Sequence, residues 1–182
     1  MKYLLTLIIL SLQLSLVSAQ SYLANNAKSN VVWKGYGEIG GFTQTGTINL
    51  GSTDIIYDGS NLSGEIIVDM KTISHEDKQL EKHLKAKDFF NVKKHPESRF
   101  EIQKFDGKSV SGILTMNGYS NDLTFDVSIV QNESDLIVKG TAKIDRTKFD
   151  IKYNSSSFFQ DLGNYAIKNE FDLEFDIVFE KK

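Results

Sequence analysis

Apolar and polar side chains alternate through most of the chain after its first twenty residues, and this period of two is the feature that most constrains the fold. Successive side chains of a β-strand point to opposite faces, so an alternating run predicts a strand with one buried face. An amphipathic helix would instead repeat its apolar residues every three or four positions. The clearest alternating runs lie at 62–70, 98–102, 110–116, 123–129, 136–144 and 171–179. The pattern therefore predicts an all-β domain.

Turn sequences separate several of these runs. Asp58-Gly59, Asp106-Gly107 and Asn117-Gly118 are dipeptides that favour tight hairpin turns, which join antiparallel neighbours. Weaker strand patterns flank the glycine-rich stretch at 35–41 and bring the expected number of strands to about eight. A closed barrel pairs both edges of every strand, whereas an open sheet would leave long edges exposed. We therefore predict an extended eight-stranded antiparallel β-barrel.

One segment between the strands has a different pattern. Ser74 is a candidate N-cap residue of a helix, with Asp77 three residues later, and Leu80 and Leu84 would lie on one narrow apolar face. Pro96 is the only proline of the chain. It marks the end of this segment, because proline cannot donate a hydrogen bond to a sheet and disfavours helix at the preceding residue. We expect one helix-containing crossover that lies against the mouth or the flank of the barrel.

Residues 1–19 have the layout of a cleavable secretory signal, with a basic start, an apolar run and small residues at the end. We therefore expect residues 20–182 to form one exported domain, periplasmic or alternatively secreted, with no stable membrane anchor. This domain would carry 20 basic and 24 acidic residues, since only Lys2 is lost from the 21 basic residues of the chain. Such a balance argues against a nucleic-acid partner, because phosphate binding needs clustered Lys and Arg. The absence of cysteine excludes disulfides, thiolate metal sites and a cysteine nucleophile.

No conventional catalytic motif stands out in the sequence. His75-Glu76 lacks the second histidine that a zinc-protease helix requires, and Ser155–Ser157 lack the flanking glycines of a hydrolase nucleophile. Asp145 and Arg146 would suit an anionic ligand or form an ordinary ion pair. The sequence therefore predicts neither a metal site nor a cofactor site.

The apolar faces of the strands leave two kinds of barrel open. An eight-stranded barrel has an interior just wide enough either to be filled by side chains or to hold one small ligand. Alternating apolar residues look the same in both cases, so the pattern alone does not distinguish a structural barrel with a filled core from a ligand-binding barrel.

Four stretches of the sequence resemble the signature of the YceI-like family. The most specific is HLKAKDFFNVKKHPESRFEI at 83–102, and the others are GEIIVDMKTIS at 64–74, SGILTMNGYSNDLTF at 111–125 and IDRTKFDIKYNSSSFF at 144–159. Two positions depart from the family pattern: His95 replaces an aromatic residue before the proline, and Asp150 replaces a glycine. Asp tolerates a left-handed backbone better than most residues, so we expect the turn at Asp150 to be preserved. The resemblance implies a lipocalin-like barrel whose elongated apolar lumen holds a polyisoprenoid or a similar amphiphile.

Alternation, or position in the matching stretches, marks twelve apolar residues as candidates for the wall of the lumen. They are Phe42, Phe89, Phe90, Phe100, Ile102, Leu114, Met116, Phe125, Val127, Ile144, Phe158 and Phe159. His83 and Arg146 are the candidate contacts to a polar head group.

The resemblance leads us to expect an exported binding protein, not an enzyme, that carries, stores or sequesters a long-chain isoprenoid or fatty amphiphile without a cofactor. Burial of each CH₂ group contributes about 0.8 kcal/mol, so each isoprene unit contributes roughly 3–4 kcal/mol before the entropic cost of binding. An enzyme acting on a polyprenyl head group is one alternative, and a structural barrel is another. The sequence also leaves a homodimer open.

Overall fold

The computed structural model describes residues 19–182, so the signal predicted for residues 1–19 lies, apart from Ala19, outside the described residues. Within the described range, the strands are β1 (Gln20–Ala24), β2 (Asn30–Gly37), β3 (Thr43–Thr47), β4 (Asn49–Leu50), β5 (Asp54–Tyr57), β6 (Leu62–Asp69), β7 (Glu97–Phe105), β8 (Ser109–Met116), β9 (Tyr119–Gln131), β10 (Asp135–Asp145) and β11 (Ile167–Lys181). The helix α1 (Lys78–Leu84) lies between β6 and β7, and short 3₁₀ turns span Met70–Thr72, Arg146–Phe149 and Gly163–Tyr165. Among residues 19–182, none of the helices has both the length and the apolar character that a bilayer-spanning helix needs.

The strands form a closed antiparallel barrel with eight strand positions around its ring. β6 to β11 occupy six positions and pair in the order of the sequence. β1 and β2 share the seventh position, because both pair with the long strand β11. The short strands β3, β4 and β5 share the eighth, where they link β2 and β1 to β6. The pairing of β1 with β11 closes the ring, so the predicted eight-stranded antiparallel barrel is confirmed.

The core of the protein is the interior of this barrel. Every second residue of β8 is buried from Val110 to Met116, and their neighbours are more exposed. β7 likewise buries Phe100 and exposes Arg99 and Glu101 on the outer face. Because antiparallel neighbours place side chains of directly opposed residues on the same face, one alternating pattern continues from strand to strand.

The crossover between β6 and β7 contains the predicted helix, but its N-cap is Asp77 and not Ser74. The Asp77 carboxylate accepts a hydrogen bond from the backbone N–H of Gln79 at 2.8 Å. The polar groups of Ser74 are engaged with β2 and β3 instead. Its carbonyl accepts a hydrogen bond from the indole N–H of Trp33 at 3.2 Å, and its hydroxyl lies 2.8 Å from that of Thr47. Ser74 therefore ties the start of the crossover to the barrel.

Asp150 adopts the left-handed conformation expected from the sequence, with φ 61° and ψ 18°. Its carboxylate forms an ion pair with Lys152 at 2.5 Å and accepts a hydrogen bond from the Tyr119 hydroxyl at 3.3 Å. The hydrogen bond and charge of Lys152 lower the pKa of the Asp150 carboxyl. These contacts hold the segment after β10 against the turn between β8 and β9.

Four segments meet at the end of the barrel where β6 ends and β7 begins. They are the crossover at 70–96, the β2–β3 loop at 38–42, the β8–β9 turn at 117–118 and the segment at 146–166. The side-chain amide of Asn117 donates a hydrogen bond to the Phe149 carbonyl at 3.0 Å, and the backbone N–H of Glu38 donates to the Ala166 carbonyl at 2.9 Å. We call this part of the molecule the mouth end.

Candidate functional site

The interior of the barrel contains two apolar cavities. The upper cavity, beneath α1 at the mouth end, encloses about 130 Å³, and the lower cavity, deeper among the strands, encloses about 90 Å³. An apolar cavity of roughly 150 Å³ can stay free of water and bind a molecule the size of benzene. Side chains therefore do not fill this barrel completely, and the free space is of a size that accommodates pieces of an apolar ligand.

Four apolar side chains line both cavities. They come from β6, β8, β10 and β11, and they are Val68, Leu114, Ile144 and Leu173. We call this group the waist. The two cavities therefore adjoin each other at the waist, and together they form the apolar lumen of the barrel.

The crossover forms the roof of the upper cavity. Ile73 precedes α1, and Leu80 and Leu84 lie on its apolar face; all three line the cavity. Ile73 and Leu84 are buried, whereas Leu80 is half-buried. The narrow apolar face predicted for the helix is confirmed, and it covers the mouth of the barrel as expected.

Phe89 and Phe90 line the upper cavity together, with their ring centroids 5.0 Å apart. Phe90 is buried and meets Phe171 of β11 edge to face at 6.2 Å. Phe89 is half-buried and lies close to His83 and Tyr153, with centroid distances of 6.0 and 6.2 Å. Phe90 therefore anchors the crossover to the barrel, while Phe89 joins the cavity wall to the outer surface of the mouth end.

Arg146 lies in the wall of the upper cavity with only 2% of its surface exposed. Its Nε donates a hydrogen bond to the Lys168 carbonyl at 3.1 Å, Nη1 donates to the Ile151 carbonyl at 2.9 Å, and Nη2 donates to the Ile167 carbonyl at 3.0 Å. A guanidinium has five N–H groups, so three of them are already engaged with the backbone. Arg146 therefore joins the segment after β10 to the start of β11.

The charge of Arg146 is not paired as the sequence suggested. Burial lowers the pKa of Arg146 to about 10, and the nearby Asp145 partly opposes this shift. The Asp145 carboxylate itself accepts hydrogen bonds from the backbone N–H and the hydroxyl of Thr147, at 2.9 and 2.6 Å. The guanidinium also lies 5.9 Å from the ring centroid of Phe89, a distance at which a cation and an aromatic face attract. Whether Arg146 contacts a head group stays a prediction.

Ser98 is another polar residue in the wall of the upper cavity. It lies near the start of β7 and is only 4% exposed. Its hydroxyl is the one buried side-chain oxygen or nitrogen within residues 19–182 that has no hydrogen-bond partner. Leaving a buried polar group unpaired costs about 1–3 kcal/mol. Ser98 therefore offers an unused hydrogen-bonding group to whatever occupies the cavity.

The lower cavity is lined by side chains of the strands. Phe125 lies at its centre, with ring centroids 5.2 Å from Phe100 and 5.7 Å from Phe175. Ile102 and Val127 line the same cavity from β7 and β9. This end of the lumen is therefore a compartment suited to hydrocarbon.

Ten of the twelve residues predicted for the lumen line a cavity. Phe42, Phe89, Phe90 and Met116 line the upper cavity, Phe100, Ile102, Phe125 and Val127 line the lower cavity, and Leu114 and Ile144 line both. Phe158 and Phe159 do not line either cavity, and each is 50% exposed. Their backbone N–H groups both donate to the Ser155 carbonyl at 3.0 Å, which curls the loop outside the barrel. The placement of Phe158 and Phe159 in the lumen was therefore wrong.

His83 lies outside the lumen wall. Its Nε2 is 3.1 Å from the Asp88 carboxylate, and its ring meets that of Tyr153 edge to face at 4.4 Å. The structure does not bring His83 into either cavity. His75 lies elsewhere, with its ring centroid 5.7 Å from that of Trp33, so these two histidines form no common site.

Comparison with known proteins identifies the family to which this lumen belongs. The model of the YceI-like domain matches residues 22–179. The chain belongs to the YceI-like family. A relative from Vibrio parahaemolyticus, a UPF0312 protein, is 26% identical over 131 residues, which are 64% of this chain and 69% of that protein. A UPF0312 protein of Staphylococcus aureus is 31% identical over 110 residues, 56% of this chain and 63% of that protein, so less than two thirds of this second relative is matched.

Solved structures share the lipocalin-like fold of the family over nearly their whole length. BcnA of Burkholderia cenocepacia superposes with a TM-score of 0.67 at 21% identity, covering 85% of this chain and 98% of BcnA. A polyisoprenoid binding domain from Saccharophagus degradans superposes with a TM-score of 0.70 at 8% identity, covering 90% of this chain and 99% of that domain. At such identities the likeness establishes the fold alone.

Proposed function

We propose that the protein binds one long-chain isoprenoid, or a related amphiphilic lipid, in its lumen and acts as a carrier, store or sequestering protein without catalysis. The observation that carries this proposal is the apolar interior of the barrel, in which two cavities adjoin at the waist and α1 covers the upper one. The Saccharophagus degradans domain, which has the same fold, is described as polyisoprenoid-binding, and this supports the class of ligand.

The length of the lumen matters for affinity. Association costs about 4–15 kcal/mol of translational and rotational freedom, and micromolar binding needs a net gain of about 8.2 kcal/mol. At roughly 3–4 kcal/mol for each buried isoprene unit, several units must be buried together. A ligand confined to one cavity would bury too little hydrocarbon, so we propose that the chain passes through the waist and occupies both.

The polar groups of the upper cavity suggest an orientation for the ligand. The buried polar residues Ser98 and Arg146 are both in its wall, whereas the buried residues that line the lower cavity are all apolar. A hydroxyl such as that of Ser98 can donate to or accept from an alcohol or carbonyl oxygen. We therefore propose that the polar part of the lipid lies in the upper cavity and the hydrocarbon tail in the lower cavity.

We further propose that residues 1–19 direct export and that binding takes place in the periplasm or, alternatively, outside the cell. The signal-like layout of these residues supports this location.

Lipid extraction and a chain-length series test the proposed function. Solvent extraction of the purified protein followed by mass spectrometry should yield an isoprenoid or a similar amphiphile. With lipid-free protein, the affinity for prenyl alcohols should rise with each added isoprene unit until the lumen is full. Turnover of a prenyl phosphate that Arg146→Ala abolishes would instead establish the enzymatic alternative.

A bulky substitution distinguishes an occupied lumen from a filled core. Met116→Trp adds a ring where Met116 lines the upper cavity, and it should shorten the longest chain that is held while changing the stability of the lipid-free protein by less than about 1 kcal/mol. Val130→Trp, on the outer wall of β9, is the matched control and should affect neither quantity. A larger loss of stability for Met116→Trp with unchanged binding would contradict the proposal.

A further inference from the structure

A group of large apolar side chains is exposed on two loops of the mouth end. Ile39 and Phe42 lie on the β2–β3 loop, and Phe158, Phe159 and Tyr165 lie on the segment before β11; their exposed fractions range from 42 to 78%. Isolated exposed apolar residues are normal, but a group of them marks an interaction site. We call these five residues the aromatic rim.

Hydrogen bonds hold the two loops of the aromatic rim together. The backbone N–H of Glu38 donates to the Ala166 carbonyl at 2.9 Å, and the Ser156 hydroxyl donates to the Glu38 carboxylate at 2.9 Å. Phe42 belongs to the rim and also lines the upper cavity. Through Phe42, the aromatic rim therefore adjoins the upper cavity.

Basic residues accompany the aromatic rim, although the chain as a whole has a net charge of −3. The crossover from 70 to 96 contains seven lysines and four acidic residues, the segment from 146 to 166 contains three basic and two acidic residues, and the loop at 38–42 adds one acidic residue, Glu38. Tyr153 of the second segment packs against His83 and Phe89 of the first, so the two basic segments are neighbours. The mouth end is therefore positive on an otherwise acidic protein.

Several of these lysines are free to meet a partner. Lys87, Lys93 and Lys94 are exposed, and in the described part of the chain none of the three forms an ion pair. Lys152 places its ammonium 5.1 Å from the ring centroid of Phe158. Lysines flanking exposed aromatic rings are typical of surfaces that lie in the head-group layer of a bilayer, where the rings enter the interface and the cations meet anionic lipids.

We propose that the mouth end docks on an anionic lipid bilayer, with the aromatic rim inserted among the head groups and the lysines above them. This inference rests on the proposed function, because docking would bring the opening of the lumen to the surface from which a lipid enters or leaves. The positive charge of the mouth end favours an anionic bilayer over a second copy of this chain as the partner. Two positive mouth ends would repel each other in a symmetric dimer, whereas anionic lipids attract each of them.

Sedimentation with vesicles tests the docking. The purified protein is mixed with sucrose-loaded vesicles made either of phosphatidylcholine alone or of equal parts of phosphatidylcholine and phosphatidylglycerol. We expect sedimentation with the mixed vesicles and little with phosphatidylcholine, and we expect added salt to release the protein. Absence of binding to the mixed vesicles would overturn the proposal.

Substitution of the aromatic rim should weaken this binding. Phe158→Ser with Phe159→Ser should lower the partition onto mixed vesicles by about tenfold or more, because two apolar side chains no longer enter the interface. The matched control is Ile56→Ser with Val130→Ser, two residues that are 48 and 49% exposed on the barrel wall. Equal binding of both double variants would contradict docking through the rim.

The charge is tested in the same way. Lys93→Glu with Lys94→Glu should lower the partition on the order of tenfold, because each lysine near an anionic surface contributes about 1 kcal/mol. Lys104→Glu with Lys108→Glu makes the same change in net charge at the other end of β7. If both pairs weaken binding equally, overall charge and not the mouth end attracts the vesicles, and the proposal fails.

Two further readouts keep the outcomes apart. Solvent extraction measures the lipid carried by each purified variant, so a failure of lumen binding is distinguishable from a failure of docking. Analytical ultracentrifugation reports the oligomeric state. The wild-type protein could prove to be a dimer that the double substitution Phe158→Ser with Phe159→Ser converts to a monomer while vesicle binding stays unchanged. That result would show that the aromatic rim binds a second copy of the chain, and it would overturn the proposal of bilayer docking.

Discussion

The two cavities of the lumen are similar in size but are built in different ways. The lower cavity is lined by side chains of strands, whose inward direction follows from alternation along each strand. The upper cavity combines strands with a helix, a paired-phenylalanine turn, a buried arginine and an unpaired hydroxyl. The structure of the lower cavity is therefore determined by the local sequence of each strand, whereas the structure of the mouth end depends on contacts between distant segments. We therefore expect substitutions of the polar residues at the mouth to affect ligand selection, and those of apolar residues in either cavity to affect mainly capacity.

We expect the largest effect, a loss of stability at the mouth end, from Arg146→Ala. The substitution leaves the carbonyls of Ile151, Ile167 and Lys168 without their donor, and each unpaired buried group costs about 1–3 kcal/mol. We expect the free energy of unfolding, measured by urea titration, to fall by about 4 kcal/mol, the sum of partial losses at three such groups. Arg146→Lys keeps the charge with fewer donors and should lose less. A loss below about 1 kcal/mol for alanine would show that Arg146 does not hold the mouth end.

A smaller loss of stability with a gain in capacity is expected at the waist. Leu114→Ala widens the passage between the cavities and should cost about 2–3 kcal/mol, at the low end for a buried leucine because Leu114 already borders free space. The longest prenyl alcohol that is bound should increase. Leu136→Ala, at a fully buried position of β10 that lines neither cavity, should destabilise without changing the preferred chain length. If both variants prefer the same chain length, the waist does not limit the length of the lipid that the lumen holds.

Ser98→Ala should modestly stabilise the lipid-free protein, whereas the two preceding substitutions destabilise it. Removal of an unpaired buried hydroxyl should raise the free energy of unfolding of the lipid-free protein by about 1 kcal/mol. The affinity for a prenyl alcohol should fall by about fivefold, equivalent to one lost hydrogen bond, while that for the hydrocarbon squalene stays unchanged. Ser111→Ala is the control, because the Ser111 hydroxyl accepts a hydrogen bond from Thr124 away from the lumen. Equal losses for alcohol and hydrocarbon would contradict a polar contact at Ser98.

The smallest effect is a pH response confined to the roof of the upper cavity. Hydrogen bonds from Lys78 and then Lys85 lower the pKa of the Glu81 carboxyl from 4.5 to about 2. Because the folded pKa is depressed, this stabilisation is complete above about pH 4.5 and is lost as the pH falls toward 2. Fluorescence of Trp33, the single tryptophan, should report the change, because its indole is bonded to the start of the crossover. Glu81→Gln should remove the fluorescence change between pH 4.5 and 2. If the change persists in this variant, a group other than Glu81 causes it.

The same contrast between depth and mouth explains what the sequence could predict. Phe100, Ile102, Phe125 and Val127 line the lower cavity, and alternation places them on the inner face because each lies at an alternate position of a long strand. Alternation did not predict β1 and β5. β5 contains two adjacent isoleucines, Ile55 and Ile56. Each face of this strand therefore carries an apolar residue, and the sequence does not show which face is buried.

Prediction was weaker at the mouth end because long-range contacts decide the roles of its residues. The carbonyls that Arg146 binds at Ile167 and Lys168 lie beyond a long loop, and no local pattern indicates that they meet the guanidinium. Ser98 was recognised only as the start of an alternating run, because the absence of a hydrogen-bond partner depends on every neighbour of its hydroxyl. Phe158 was misplaced because a motif gives the order of residues and not the direction in which a loop turns.

The long strand β11 also has a consequence for how the protein acquires its structure. It pairs with β10 along its length and with both β2 and β1, so that Tyr22 stands opposite Lys181. The ring therefore cannot close before β11 has been synthesised. Contacts between such distant segments make folding slow, and until they form, β10 and β1 have unpaired edges open to other chains. The barrel is therefore completed only when its first and last strands meet, and the intermediate strands stay incompletely paired until then.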